Sequence, residues 1–133
     1  MKISRKEDYA VLLMSALAHT PDGAWLSLDS VAKRYHLPLP FLHHIARDLK
    51  QAQLLKSREG VKGGYALTRT PKEIALAQIL EATGGKLQLT QCTTDTRCPI
   101  ERHCSTRQPW QKLHDVVYKT FASITLEELQ QSA

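Results

Sequence analysis

One stretch, from Ser27 to Thr68, constrains the fold more than any other part of the chain. Ser27 is a candidate N-cap for a short helix over Leu28 to Tyr35. His36-Leu37-Pro38 breaks that helix, and a second helical segment runs from about Leu39 to Gln53. Its apolar stripe is Leu42, Ile45, Ala46 and Leu49, while the other face carries His43, His44, Arg47, Lys50 and Gln51. A short helix, a tight turn and an amphipathic helix with a polar outer face form the outline of a helix-turn-helix. Two strand-like pieces follow, Leu54-Leu55-Lys56-Ser57-Arg58 and Tyr65-Ala66-Leu67-Thr68, on either side of a glycine-rich loop from Glu59 to Gly64. That is a β-hairpin. Placed directly after a recognition-type helix, it reads as the wing of a winged helix, with Lys62 at its tip and Lys56 and Arg58 on its first arm, positioned to meet phosphates.

The flanking segments are helical. Ser4 to Ala18 has apolar residues at Tyr9, Leu12, Leu13, Ala16 and Leu17, with Asp8 near its start, and Pro21-Asp22-Gly23 reads as a turn. Thr70-Pro71-Lys72-Glu73 has the form of a capping box with proline at the first helical position, and the helix it predicts ends at Gly84-Gly85. Lys86 to Gln108 shows no clear periodicity, and a loop of that length is usually functional or disordered. From Pro109 the helical pattern returns at Trp110, Leu113, Val117, Phe121 and Ile124, and Thr125-Leu126-Glu127-Glu128 is a second capping box opening a short final helix. The long helix carries more apolar surface than a small winged helix needs, so it is read as a dimerisation element, the alternative being that it packs on its own domain. The expected fold is mainly α with a small β-hairpin: a winged helix-turn-helix over 1–85, a cysteine-containing loop over 86–108, and a dimerisation helix with its tail over 109–133.

Length and composition fit one ordinary domain. The 133 residues are 42% hydrophobic and 23% charged, which argues against wholesale disorder. The longest apolar stretch, Ala10 to Ala18, is too short to span a bilayer and lacks a secretory layout, so a cytoplasmic protein with no membrane partner is expected. Lysine and arginine total 18 against 13 acidic residues, and the resulting +5 favours an anionic partner, with nucleic acid the first candidate. An enzyme is not expected. Gly60 to Gly64 sits in a hairpin and not before a helix, so it is no phosphate loop, and no Ser–His–Asp or Cys–His arrangement stands out.

The three cysteines stand as Cys92-x5-Cys98-x5-Cys104. An odd count without an export signal argues against a disulfide framework and leaves a metal, a metal cluster or a reactive thiol. Structural zinc sites usually pair cysteines across two to four intervening residues. Five give a wider loop, better matched to a larger cluster, and soft thiolates suit iron–sulfur chemistry. Arg97, Arg102 and His103 add positive charge that stabilises thiolates, which favours ligation and redox reactivity alike. A zinc site of the three cysteines and His103 is a further alternative.

Taken together, the helix-turn-helix, the wing residues Gly63-Gly64-Tyr65-Ala66-Leu67, the helix after Thr70-Pro71, the cysteine loop and the opening Ile3-Ser4-Arg5-Lys6-Glu7-Asp8-Tyr9-Ala10 resemble the Rrf-two family of bacterial iron–sulfur transcription regulators, with its IscR-, NsrR- and RirA-like members. The resemblance covers nearly the whole chain. It implies a homodimeric winged-helix regulator that holds an iron–sulfur cluster, four-iron four-sulfur favoured over two-iron two-sulfur, through Cys92, Cys98, Cys104 and one further ligand. The IscR-like branch places a histidine three residues after the last cysteine, but Arg107 stands there and cannot ligate. The NsrR-like branch is similar to an alternative, an aspartate in the first helix of the partner subunit, and Asp8 occupies that place. His103 is the local competitor and Glu7 a weaker one, while His19, His36 and His114 read as surface or packing residues.

DNA contacts follow from position, because the early part of the second helix of a helix-turn-helix reaches base edges. Pro40, Phe41, His43, His44 and Arg47 occupy that part or its exposed face, with Arg47 the best donor. Lys50, Lys56, Arg58 and Lys62 are expected to hold phosphates, opposed locally by Glu59. A dimer is expected to read a pseudo-palindromic double-stranded operator, with iron–sulfur status, nitric oxide or redox state as the signal. The rival readings are a cluster-free thiol-based redox regulator and a small iron–sulfur carrier protein.

Overall fold

A computed structural model describes residues 2–93 and 97–131 of the chain. The expected stretches 1–85, 86–108 and 109–133 therefore each include a few positions outside the described residues. The element order is α1 (Arg5–Ala18), α2 (Leu28–Tyr35), α3 (Leu39–Gln51), β1 (Leu55–Arg58), β2 (Gly64–Leu67), α4 (Leu76–Gly84), α5 (Arg107–Ser123) and α6 (Leu126–Gln131). The fold is the expected one, mainly helical with one two-stranded antiparallel hairpin.

Local chemistry sets most boundaries. Ser4 opens α1 through a capping box: its hydroxyl accepts the Glu7 N–H at 3.2 Å, and the Glu7 carboxylate accepts the Ser4 N–H at 3.3 Å. Ser27 caps α2 by accepting the Ser30 N–H at 3.2 Å. His36 then turns left-handed at φ 55°, its N–H returning to the Ala32 carbonyl, which stops α2 and redirects the chain. Pro40 sits in the first turn of α3, where a missing N–H costs nothing. That helix ends at Gln51, two residues short of the expected Gln53, which has left the helical region at φ 62°.

α1, α2 and α3 pack around one core, with Leu13, Met14, Val31, Leu42, Ile45, Leu49 and Leu54 fully buried and joined from the C-terminal side by Ile74, Ile79 and Leu126. Full burial of each such side chain contributes about 1.5–3 kcal/mol. The hairpin pairs Leu55 with Leu67, Lys56 with Ala66, Ser57 with Tyr65 and Arg58 with Gly64. It is fastened to the domain by an antiparallel bridge, Leu26 N–H to Tyr65 O at 3.0 Å and Tyr65 N–H to Leu26 O at 2.8 Å. Gly64 makes this approach possible: at φ 147°, a Cβ there would stand 2.5 Å from the Leu26 carbonyl oxygen.

Two helix starts differ from expectation. The Thr70 box is not formed. Pro71–Glu73 makes only a single 3-10 turn, the Thr70 side chain makes no cap, and α4 begins at Leu76. The reason is tertiary. The buried Ile74 is extended, its carbonyl accepts the Leu126 N–H at 2.8 Å, and the Leu76 N–H donates to Ile124 O at 2.8 Å, so this backbone pairs with the entrance to α6 and cannot be helical. α5 starts at Arg107, two residues before Pro109. It packs against α4 and the cysteine loop along a half-buried stripe that includes Gln111, His114, Val117 and Phe121, yet none of its residues is fully buried. Trp110, Leu113 and Val116 stay 42%, 45% and 55% exposed. Among the described residues, no helix is long and apolar enough to cross a membrane.

Candidate nucleic-acid interface and cysteine loop

α3 presents its polar face as expected. His43, His44, Arg47 and Lys50 are all exposed, while Phe41 is half-buried and meets the Tyr9 ring edge-on, with centroids 5.7 Å apart at 76°. Phe41 therefore seats α3 on α1. Asp48, the single acidic residue of α3, is paired with Lys6 of α1 at 2.7 Å, with side chains 20% and 28% exposed. That pairing offsets the one negative charge on the helix, leaving its outer face basic. The Lys50 ammonium donates to Ser57 Oγ at 2.7 Å and links the helix to the wing.

The wing exposes Lys56, Arg58 and Lys62, with Glu59 exposed beside them. Lys56 and Arg58, two apart on β1, share one face. Both lie over the Trp25 ring, the Arg58 Cζ 4.7 Å and the Lys56 Nζ 5.7 Å from its centroid. Arg58 also donates to the Lys62 carbonyl at 2.6 Å across the tip.

All three cysteines are free thiols, each half-buried, on the segment between α4 and α5. Cys92 lies in a 3-10 turn, Gln91–Thr93, with its sulfur 3.0 Å from Thr90 Oγ1. Thr93 braces the turn, its hydroxyl accepting the Leu89 and Thr90 N–H groups at 3.2 Å and donating to Thr90 O at 2.7 Å. The Cys98 carbonyl accepts the Glu101 N–H at 3.2 Å, and Arg97 pairs with Glu101 at 3.6 Å. The Cys104 sulfur is 3.2 Å from Thr106 Oγ1. The Thr106 hydroxyl, then its backbone N–H, hold the Cys104 thiol below its usual range, with the Arg107 backbone and charge acting in the same direction. His114 Nε2 hydrogen-bonds the Leu87 carbonyl at 3.1 Å, so this histidine anchors the start of the loop on α5.

The candidate fourth ligands separate clearly. Asp8 is exposed in the first turn of α1, whereas Glu7 is engaged by Ser4 and lies against Gly84. His103 is exposed beside Cys104, and Arg107 is the first residue of α5. Among the described residues, no three His, Cys, Asp or Glu side chains converge on a single metal position. The donor chemistry nevertheless suits an iron–sulfur cluster: three free, half-buried thiols between α4 and α5.

Sequence reasoning missed the partners that position these groups: Trp25, Lys6, Thr90 and Thr106. Thr90 and Thr106 stand two residues from a cysteine, a spacing that was readable. Nothing local marks Trp25 or Lys6, whose partners come from other elements.

Over residues 3–132 the chain matches the family model Rrf2, described as an iron-dependent transcriptional regulator. A protein of Synechocystis sp. described as an HTH-type transcriptional regulator is 33% identical over 133 residues, spanning 100% of this chain and 90% of that protein. Among solved structures, CymR, the global cysteine regulator of B. subtilis, is similar with a TM-score of 0.82 and 28% identity, covering 100% of this chain and 98% of that one. The T. potens IscR is similar with a TM-score of 0.79 and 30% identity, covering 99% and 88%. The relatives are transcription regulators, not enzymes.

Proposed function

The chain belongs to the Rrf2 family of DNA-binding transcription regulators, and from that premise we propose that it is a cytoplasmic homodimer whose DNA affinity is set by an iron–sulfur cluster on Cys92, Cys98 and Cys104. The observation that carries this reading is that the three free thiols all lie between α4 and α5. When bound, the cluster supplies a cross-link that responds to iron–sulfur status, nitric oxide or redox state; four irons are favoured over two. Asp8 of the partner subunit is the fourth ligand in this reading, supported by its exposure and by the engagement of Glu7 elsewhere. A carboxylate is a hard, easily displaced ligand, which suits a sensor.

The chain's own residues then relay the state of the loop. A pull on α1 reaches α3 through the Lys6–Asp48 pair and the Tyr9–Phe41 contact. His43, His44 and Arg47 read base edges in this account, and Lys50, Lys56, Arg58 and Lys62 hold phosphates. The uncovered apolar residues Trp110, Leu113 and Val116 of α5 support a dimer, and a two-fold dimer reads a pseudo-palindromic operator in two half-sites. Coupling requires that cluster and DNA prefer the same dimer state.

Iron and acid-labile sulfide, measured per monomer on protein purified without oxygen, test the cluster. Both are expected in comparable amounts, with broad visible absorption. Absence of both, even after reconstitution, selects the second reading, a thiol-based regulator. That reading is supported by Arg107, which stands where the IscR-like branch has its histidine and cannot ligate.

A further inference from the structure

Trp25 lies in the loop between α1 and α2, outside both the helix-turn-helix and the wing. It is half-buried but does not belong to the hydrophobic core cluster. Its neighbour Leu26 is bridged to Tyr65 of β2, so its backbone is fixed to the wing sheet. Its ring lies under both cations of β1, with the Arg58 guanidinium nearer. Arg58 uses one N–H on the Lys62 carbonyl. The same tip is closed by the Gly63 N–H to Gly60 O bond at 3.0 Å. One indole thus organises the arginine, and through it the tip that carries Lys62.

We propose that Trp25 is a positioning residue for DNA binding, holding Arg58 and the wing tip in the geometry that meets the DNA backbone. This rests on the DNA-binding reading of the family. A free arginine loses rotamer freedom when it docks on a phosphate, whereas one already stacked and hydrogen-bonded has lost it beforehand. Stacking on the indole face adds attraction without removing the guanidinium charge or its remaining donors. Because Trp25 is not part of the core, its removal is expected to alter the wing and to spare the domain.

The full-length protein and its Trp25→Ala, Trp25→Phe, Arg58→Ala and Trp25→Ala/Arg58→Ala variants test this. The DNA is a duplex selected by the wild-type protein from a random-sequence library, and affinity is read by fluorescence anisotropy. Without DNA, the rate of tryptic cleavage after Lys62 reports the order of the tip. Trp25→Ala is expected to bind about three- to tenfold more weakly and to be cut faster at Lys62. Trp25→Phe recovers most of both losses. The double variant is expected to be hardly weaker than Arg58→Ala, because Trp25 acts through Arg58. Unchanged binding by Trp25→Ala overturns the proposal, as do losses that multiply in the double variant. A wild-type protein that selects no duplex overturns the DNA-binding reading itself, a different result from a variant that matches wild type.

Discussion

Cys104 is set apart by its immediate neighbours, Thr106 and Arg107. The Thr106 hydroxyl and backbone draw its thiol downward, so thiolate forms at lower pH than in an ordinary cysteine. In cluster-free protein, Thr106→Val is expected to move the alkylation-versus-pH profile of Cys104 upward. Labelling with iodoacetamide, followed by peptide mass spectrometry, would then slow near neutral pH and match wild type once both thiols are fully ionised. An unchanged profile would remove Thr106 from the account. The spacing of the cysteines was legible in the sequence because it is local. The tertiary partners of Phe41 and Arg58 were not. A helical position near the N-terminus of α3 predicts a base contact, but the T-shaped contact with Tyr9 depends on how α1 packs. Likewise, a basic residue on a hairpin arm reads as a phosphate donor, and only the folded chain shows it lying over Trp25.

Among the elements, the two sequences that read as capping boxes have opposite fates. Thr125 accepts the Glu128 N–H at 3.3 Å and donates its own N–H to the Glu128 carboxylate at 3.0 Å, starting α6. α6 is docked by the buried Leu126 and by Gln130 Nε2 donating to the Ala18 carbonyl at 3.0 Å, so its cap contributes to the stability of the whole domain. Thr125→Ala is expected to cost about 1 kcal/mol in urea unfolding, and Thr70→Ala less than about 0.5 kcal/mol. Equal losses would contradict the assignment of caps. Period and capping residues were enough to find α1, α2, β1 and β2 nearly to the residue, because their signals are local. The start of α4 was not legible, since the pairing of Ile74 with Leu126 is set by tertiary structure and overrides a favourable local pattern.

For the whole molecule, the sequence carried the order of winged domain, cysteine loop and long helix. It did not carry how α5 divides its surface between its own domain and solvent. That helix leaves Leu113 and Val116 exposed while Val117 and Phe121 are half-buried. Leu113→Asp with Val116→Asp is expected to leave each chain folded and to shift sedimentation from dimer to monomer. DNA affinity would then fall at least about tenfold, because two linked half-site contacts become one. A dimer that survives both charges would place the interface elsewhere.

In the proposed function the relay runs from the cysteine loop to α1 of the partner subunit, and from α1 to α3 through the Lys6–Asp48 pair and the Tyr9–Phe41 contact. Coupling requires that the loop and the DNA prefer the same dimer state. This coupling is tested by the affinity of one selected duplex for protein reconstituted with the proposed cluster and for the same preparation after the cluster is removed, at a single salt concentration. A difference of at least about fivefold is expected, the lower range of ordinary allosteric coupling. Equal affinity across every selected duplex, with iron and sulfide confirmed before removal, would contradict it.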